Sequence, residues 1–173
     1  MATFSTRKAT DRDVEALRRL CAEVTNQRGT LASIRGPQFD PARWLAAHAP
    51  LVIVAEGATV AGFAAAPLDG VPLGGSKCAE AIVYVAPAHR RRGAARAALR
   101  ELLSVARATG LWKMVAYALN DDVPARKLLD QLDFREVGVL VKHVQLQTGW
   151  TDVVLLERLV LAARKSMPSI SDR

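Results

Sequence analysis

The sequence is poor in the residues that mark several large classes of protein. It has two cysteines, Cys21 and Cys78, far apart and outside any CxxC pair. That excludes a disulfide-stapled scaffold and leaves a reduced, cytoplasmic setting as the expectation. Three histidines, His48, His89 and His143, show no metal-ligand spacing, so no metal is expected. No window approaches the ~18 consecutive apolar residues of a membrane span. The N-terminus, Met1 to Lys8, lacks the basic-then-apolar order of a secretory signal. Aromatics make up 5% of the chain, and none interleaves with the arginines that cluster near residue 90. Nucleic-acid binding through base stacking is therefore not expected. Ser33 and Ser104 sit in no recognisable nucleophile context.

What is present is globular composition. Half of the 173 residues are hydrophobic. A chain of this length buries roughly 70% of its unfolded surface, enough for a core without staples. No repeat or long linker interrupts it, so one domain over residues 1–162 is expected, with 163–173 as a frayed tail. The formal charge is +7. Much of the excess is local, since Arg90, Arg91, Arg92, Arg96 and Arg100 fall within eleven residues. Such a cluster argues for one anionic site over a general polyanion surface.

The pattern of elements is βαα ββ β α β α ββ. A short strand is expected over residues 5–8. Thr10 and Asp13 form a capping box, and Val14, Leu17, Cys21 and Val24 follow at helical spacing up to Gly29. Asp40-Pro41 starts a second, short helix that stops before Pro50. Leu51–Ala55 and Thr59–Ala66 are strands around a Glu56-Gly57-Ala58 turn. Pro67–Gly75 is a loop. Ala79–Val85 is nearly continuously apolar, as a strand covered on both faces requires, with Glu80 as the exception. Arg91–Ala108 is helical, with Gly110 beyond its end. Trp112–Leu119 is a strand, and Asp122 caps a helix through Leu132. Two long strands, Arg135–Leu146 and Trp150–Leu161, close the fold. The class is α/β (α+β): a mixed, mostly antiparallel sheet of six to seven strands with helices on both faces.

The richest stretch runs from Ala79 to Arg96: buried strand, basic turn, helix start. Helix N-termini expose unpaired N–H groups and the positive end of the dipole, so they bind phosphate. Gly93 lets the backbone come close, and Ala94 and Ala95 leave room. Three arginines at a helix N-terminus are unfavourable by themselves, which implies an anion to offset them.

Arg90-x-x-Gly93-x-Ala95 resembles the (Gln/Arg)-x-x-Gly-x-(Gly/Ala) signature of GNAT N-acetyltransferases. The likeness covers roughly residues 5 to 160. Glu80-Ala-Ile-Val-Tyr-Val85 and Gly149-Trp150-Thr-Asp152-Val153 look most like the phosphinothricin N-acetyltransferase branch. The resemblance implies a GNAT fold whose fourth and fifth strands open in a V around acetyl-CoA. It implies that backbone groups of Val83, Tyr84 and Val85 pair with the pantetheine arm. It places the pyrophosphate on the turn from Arg90 through Arg91, Arg92, Gly93, Ala94 and Ala95 to Arg96, with Asn120 and Asp122 near the cofactor. It further implies direct attack by an amine, a small-molecule amine acceptor and a homodimer. A protein or aminoacyl-tRNA amine is the alternative acceptor, and a non-catalytic acyl-CoA-binding module the alternative role.

Amine attack needs a proton acceptor and a donor at the developing oxyanion. Glu80 is a carboxylate in an apolar strand. It reads either as a strand-end group turned to solvent or to an arginine, or as a functional one; the resemblance makes it the base. The same resemblance makes the Val85 N–H the oxyanion donor. The partner helix departs from the family. Asp122 stands where Asn is usual, Leu129 where a Tyr or His would protonate the thiolate, and Asp133 where Gly precedes Phe134. Tyr117 and Tyr84 are the hydroxyls that remain. Arg35, within Gly29–Pro37, His143 and Trp150 are the candidates for contact with the acceptor.

Overall fold

In the computed structural model, residues 3–25, 40–68, 77–146 and 148–160 are described. The segment Gly29–Pro37 with Arg35, most of the Pro67–Gly75 loop and the C-terminal tail lie outside them. Strand β1 spans Phe4–Lys8, β2 Leu51–Glu56, β3 Thr59–Ala65, β4 Cys78–Glu80 and β5 Ile82–Val85. Strands β6, β7 and β8 span Lys113–Leu119, Arg135–Leu146 and Gly149–Leu159. Helix α1 spans Val14–Thr25, α2 Pro41–Ala46, α3 Ala94–Ala108 and α4 Val123–Asp130.

The expected mixed, mostly antiparallel arrangement holds, and its strands divide into two four-stranded sheets. The first has the order β1-β2-β3-β5 and is antiparallel throughout. The second has the order β4-β6-β8-β7, with β4 parallel to β6 and the other pairs antiparallel. The run expected as one strand, Ala79–Val85, is two. Its first half belongs to the second sheet and its second half to the first, and Ala81 is the point of exchange.

Local chemistry sets the helix starts. Thr10 and Asp13 make the expected capping box, with the Thr10 N–H donating to the Asp13 carboxylate at 2.8 Å. The Asp40 carboxylate accepts the Ala42 and Arg43 N–H groups, and Pro41 fixes the first helical φ of α2. Asp122 does the same for α4 by accepting the Ala125 N–H at 3.1 Å, with Pro124 tolerated in the first turn. Helix α3 begins later than expected, at Ala94. Arg91 and Gly93 have φ of 61° and 97°, and a left-handed residue ends the helical run.

Alternation along the strands sends side chains into two apolar clusters, on opposite faces of the first sheet. On one face Val52, Val54 and Ala64 meet Ala98, Leu99 and Leu102 of α3, together with Met114, Leu129 and Phe134. On the other, Ile53, Phe63 and Tyr84 meet Leu17, Leu20 and Cys21 of α1 and Trp44 of α2. Trp44, Phe63 and Tyr84 stack with centroids 6.2 and 6.1 Å apart. Each fully buried side chain such as Leu17 or Phe63 contributes about 1.5–3 kcal/mol. Helices therefore brace both faces of the first sheet.

No helix among the described residues is long and apolar enough to cross a membrane.

Candidate active site

The parting of the sheets creates the site. The Ala81 N–H donates to Val115 O, on β6, at 2.7 Å. Five residues on, the Ala86 N–H donates to Ala61 O, beside β3, at 2.9 Å. Backbone groups alternate sides along a strand. The amides of Val83 and Val85 therefore face the side that β6 has left, whereas those of Ile82 and Tyr84 face β3. Of the three backbone positions expected to pair with a ligand, Tyr84 is thus turned away. Behind β5 stands Gly62 of β3. A Cβ there would lie 3.0 Å from Val85 Cα and overlap the Tyr84 carbonyl. Only glycine permits this approach.

A cleft of about 850 Å³ occupies the gap. Glu80, Val83, Val85, Tyr117 and Leu129 line it, and at its other end so do Arg91, Gly93, Ala94, Ala95, Arg96 and Asp122. Ala79, Ala81 and Val85 belong to the α3-side cluster and Tyr84 to the α1-side cluster. Alternation then places Glu80 on the α1 side, at the last position of β4 before the sheets separate. Its Cα partner is Val115, and Tyr117 follows two residues later on the same face of β6. Glu80 is 4% exposed. Leu129 packs on the opposite, α3 side, 7% exposed.

The arginines are sorted by side chain. Arg90, in the turn after β5, reaches back to that strand: its Nε donates to Val85 O at 2.8 Å and its guanidinium lies 5.5 Å from the Tyr84 ring centroid. Arg92 turns away from the cleft. It donates to both oxygens of Glu56, at 3.0 and 2.5 Å, and lies 5.7 Å from the Phe4 ring centroid. His89 Nδ1 meets the same carboxylate at 2.9 Å. Arg91 and Arg96 line the cleft, with Arg96 bonded to Gln131 at the end of α4. The charge on this turn is thus already offset in part from within the protein, by Glu56, which sequence reasoning missed. Its signal was invisible at a separation of 36 residues from Arg92.

Burial, with the Glu23 carboxylate beside it, pushes the Tyr84 phenol up to about 12. That suits a core residue more than an acid. Asn120 is held outside the cleft. Its N–H donates to Asp152 O and its carbonyl accepts Arg126. The Asp152 side chain accepts the Lys142 N–H at 2.7 Å, where β7 is irregular. His143 is exposed on β7 and Trp150 is 60% exposed on β8; neither lines the cleft. Asp133 takes a left-handed φ of 58°, a conformation that glycine adopts freely and aspartate tolerates. Among the described residues no group of three His, Cys, Asp or Glu gathers as metal ligands.

A split sheet with strand amides facing the split, and a left-handed glycine opening the helix beyond it, is a family architecture. Residues 12–134 match the family model for the acetyltransferase (GNAT) family. The chain belongs to the GNAT family. Its members are acetyltransferases that draw on acetyl-CoA. Solved GNAT structures share its fold over nearly its full length. The structure of yncA from Salmonella typhimurium with its cofactor acetyl-CoA is 19% identical, with a TM-score of 0.81, covering 97% of this chain and 99% of that one. A phosphinothricin acetyltransferase from Sinorhizobium meliloti in complex with acetyl-CoA is 20% identical, with a TM-score of 0.79, covering 97% and 94%. A ribosomal-protein-alanine N-acetyltransferase from Brucella melitensis is 21% identical, with a TM-score of 0.77, covering 90% and 99%. No curated protein sequence matches the chain significantly.

Proposed function

We propose that this GNAT enzyme transfers the acetyl group of acetyl-CoA to the primary amine of an amino-acid-like small molecule of phosphinothricin or methionine sulfoximine type. The observation that carries the reading is the strand exchange at Ala81. It sets a buried carboxylate, Glu80, beside a gap into which the Val83 and Val85 amides face. The pantetheine arm completes the interrupted ladder on Val83 and Val85 as an added strand. The pyrophosphate lies on the α3 N-terminus, where Gly93 leaves open space and Arg91 and Arg96 supply charge.

In the ternary complex the amine enters from the α1 side as the neutral base, and Glu80 takes, directly or through water, the proton its nitrogen sheds on attack and passes it to solvent. The amine lone pair attacks the thioester carbonyl carbon. The Val85 N–H donates to the oxygen that becomes negative, a dipole fixed in place before the reaction. The C–S bond then breaks and the sulfur takes the electron pair. Leu129 has no proton to give. Tyr117, on the Glu80 face of the cleft, supplies the hydroxyl that protonates the thiolate and recovers its proton from solvent.

A second reading has specific support. One solved neighbour is a phosphinothricin acetyltransferase and another a ribosomal-protein-alanine N-acetyltransferase, at near-equal similarity. A protein or aminoacyl-tRNA amine is the acceptor on that reading. The enzyme acts in the cytoplasm as a single catalytic domain and pairs as a homodimer, as in the branch it resembles.

The test is an acetyl-CoA-dependent thiol-release screen against amino acids, antibiotics, N-terminal peptides and aminoacyl-tRNA, with Glu80→Gln alongside. Turnover on amino-acid analogues that drops about 10²-fold or more in Glu80→Gln supports the reading. Turnover confined to peptides or tRNA selects the second. Acetyl-CoA binding without turnover on any amine makes the chain an acyl-CoA-binding module, and an unchanged rate in Glu80→Gln removes the base.

A further inference from the structure

The turn that leads into α3 is strained at one residue. Arg91 has φ of 61°, the left-handed region, which non-glycine residues occupy only when their surroundings fix them there. Two of its near neighbours are fixed from outside the turn by one side chain. Glu56, at the end of β2, accepts Arg92, one residue after Arg91, at 3.0 and 2.5 Å. It also meets His89, two residues before, at 2.9 Å. Arg90 is tied on the inner side to Val85 O at 2.8 Å. Phe4 of β1 lies against the Arg92 guanidinium and limits its swing. Gly57, with φ of 60°, turns the chain sharply after Glu56 and holds the carboxylate at the hairpin end.

From this geometry we infer that Glu56 is a positioning residue for acetyl-CoA: it never meets the cofactor, and it sets the turn through Arg92 and His89. The inference rests on the placement of the pyrophosphate at this turn. Without the carboxylate, Arg92 is released beside Arg91 at the positive end of the α3 dipole with no internal counter-charge. They repel one another, and Arg91 relaxes toward an ordinary φ. The amides at the start of α3 then lose their alignment before the cofactor arrives, and binding must restore it. The cost falls on cofactor capture. Glu80 and Tyr117 stand on β4 and β6, outside the turn, and keep their places, while the Arg90 bond still holds Val85. Arg92 and Phe4 hold the Glu56 carboxylate where it stays ionised: Arg92 first, and then His89, draw its proton affinity below the ordinary carboxylate range.

The experiment compares Glu56→Ala, Glu56→Gln, Arg92→Ala and the Glu56→Ala/Arg92→Ala double variant in steady-state kinetics with acetyl-CoA varied, with Gly93→Trp as the control on the site itself. Glu56→Ala raises the KM for acetyl-CoA about tenfold and leaves kcat within about twofold. Glu56→Gln, which keeps the acceptor oxygen and the shape but loses the charge, falls between. The double variant is no worse than the poorer single one, because both changes break the same brace. An unchanged KM in a folded Glu56→Ala and in Glu56→Gln overturns the inference. Effects of Glu56→Ala and Arg92→Ala that multiply also overturn it, because Arg92 then meets the phosphate itself. A KM that survives Gly93→Trp removes the pyrophosphate placement. A KM raised by Gly93→Trp and untouched by Glu56→Ala removes only the brace.

Discussion

Replacing Gly62 with alanine puts a methyl group between β3 and the strand that carries Val83 and Val85. In an open strand position this change stabilises a protein by about 0.5–1 kcal/mol, since glycine loses the most freedom on folding. Here the sign reverses. The new Cβ would lie 3.0 Å from Val85 Cα and 3.2 Å from the Tyr84 carbonyl carbon. Carbon atoms pack best at about 3.5–4.0 Å, so β5 must retreat by about 0.5–1 Å. Strand β3 cannot absorb the shift, because Phe63 and Ala64 beside it are fully buried. Retreat carries β5 into the cleft. Overpacking of this kind costs about 1–3 kcal/mol. In a chain of this size that lowers Tm by about 2–4 °C for each kcal/mol. A displacement near 1 Å at the reacting atoms costs up to about 10²-fold in rate. Gly62→Ala is therefore expected to lose about 10- to 100-fold in kcat while remaining folded at 25 °C. Thiol release with saturating acetyl-CoA measures the first quantity and circular-dichroism melting the second. A variant with a raised Tm and an unchanged kcat refutes the close approach. A lowered Tm with kcat intact would show that the Val85 amide does not serve the reaction.

Tyr117→Phe removes the hydroxyl assigned to the leaving thiolate and keeps the ring; kcat is expected to fall about 10- to 100-fold with the KM for acetyl-CoA unchanged. An unaffected kcat would leave protonation to solvent. Arg7 and then the Thr10 contacts, against the opposing effect of burial, bring the Asp13 carboxyl from 3.8 to about 2. The bonus is present above the unfolded value near pH 4 and is lost as pH falls through about 2. Asp13→Asn should cost about 1–2 kcal/mol in urea unfolding at pH 7, less than the full shift because Arg7 is more than half exposed, and the difference should shrink as pH falls from about 4 and vanish only below the folded value of about 2. Equal loss at both pH values would mean that the capping geometry and not the charge matters. Burial, and then the Asp40 charge, pushes the Cys21 thiol up to about 12. Cys21 is expected to resist iodoacetamide at pH 8 until the protein is unfolded; native-state labelling at the rate of free cysteine contradicts its place in the core.

Local chemistry was legible along the chain because it acts over three or four residues. The caps at Thr10, Asp40 and Asp122, the apolar run of β2 with its turn into β3, and the turn at Gly93 all lie within that reach. The rest depends on partners distant in sequence. Ala79–Val85 is an even apolar run, and nothing in its residues marks Ala81 as the place where its pairing changes from β6 to β3. The arginines read as one cluster because charge was counted along the chain. In the fold their side chains diverge, Arg90 to a carbonyl and Arg92 to Glu56. The late start of α3 is not visible along the chain, because Arg91 is an ordinary helix former by propensity yet takes a left-handed φ. His143 on the edge strand β7 and Trp150 near the start of β8 are both exposed and stand outside the cleft, a placement that depends on the pairing order of the second sheet. An isolated glycine within a strand is a sign of close backbone approach, and Gly62 carried that sign.

The strand exchanged at Ala81 also makes the substrate part of the protein's stability. The Val83 and Val85 amides sit in the middle of the molecule yet face a gap, so they should exchange with deuterated water far faster than the paired amides of β2 and β3. With acetyl-CoA placed as proposed, those two amides gain partners and the ligand bridges the two sheets. Ligation at a hundredfold excess over Kd adds about 2.7 kcal/mol to the folding free energy. Without acetyl-CoA the protein would open more readily along the seam, so the substrate that governs its rate also governs its resistance to unfolding.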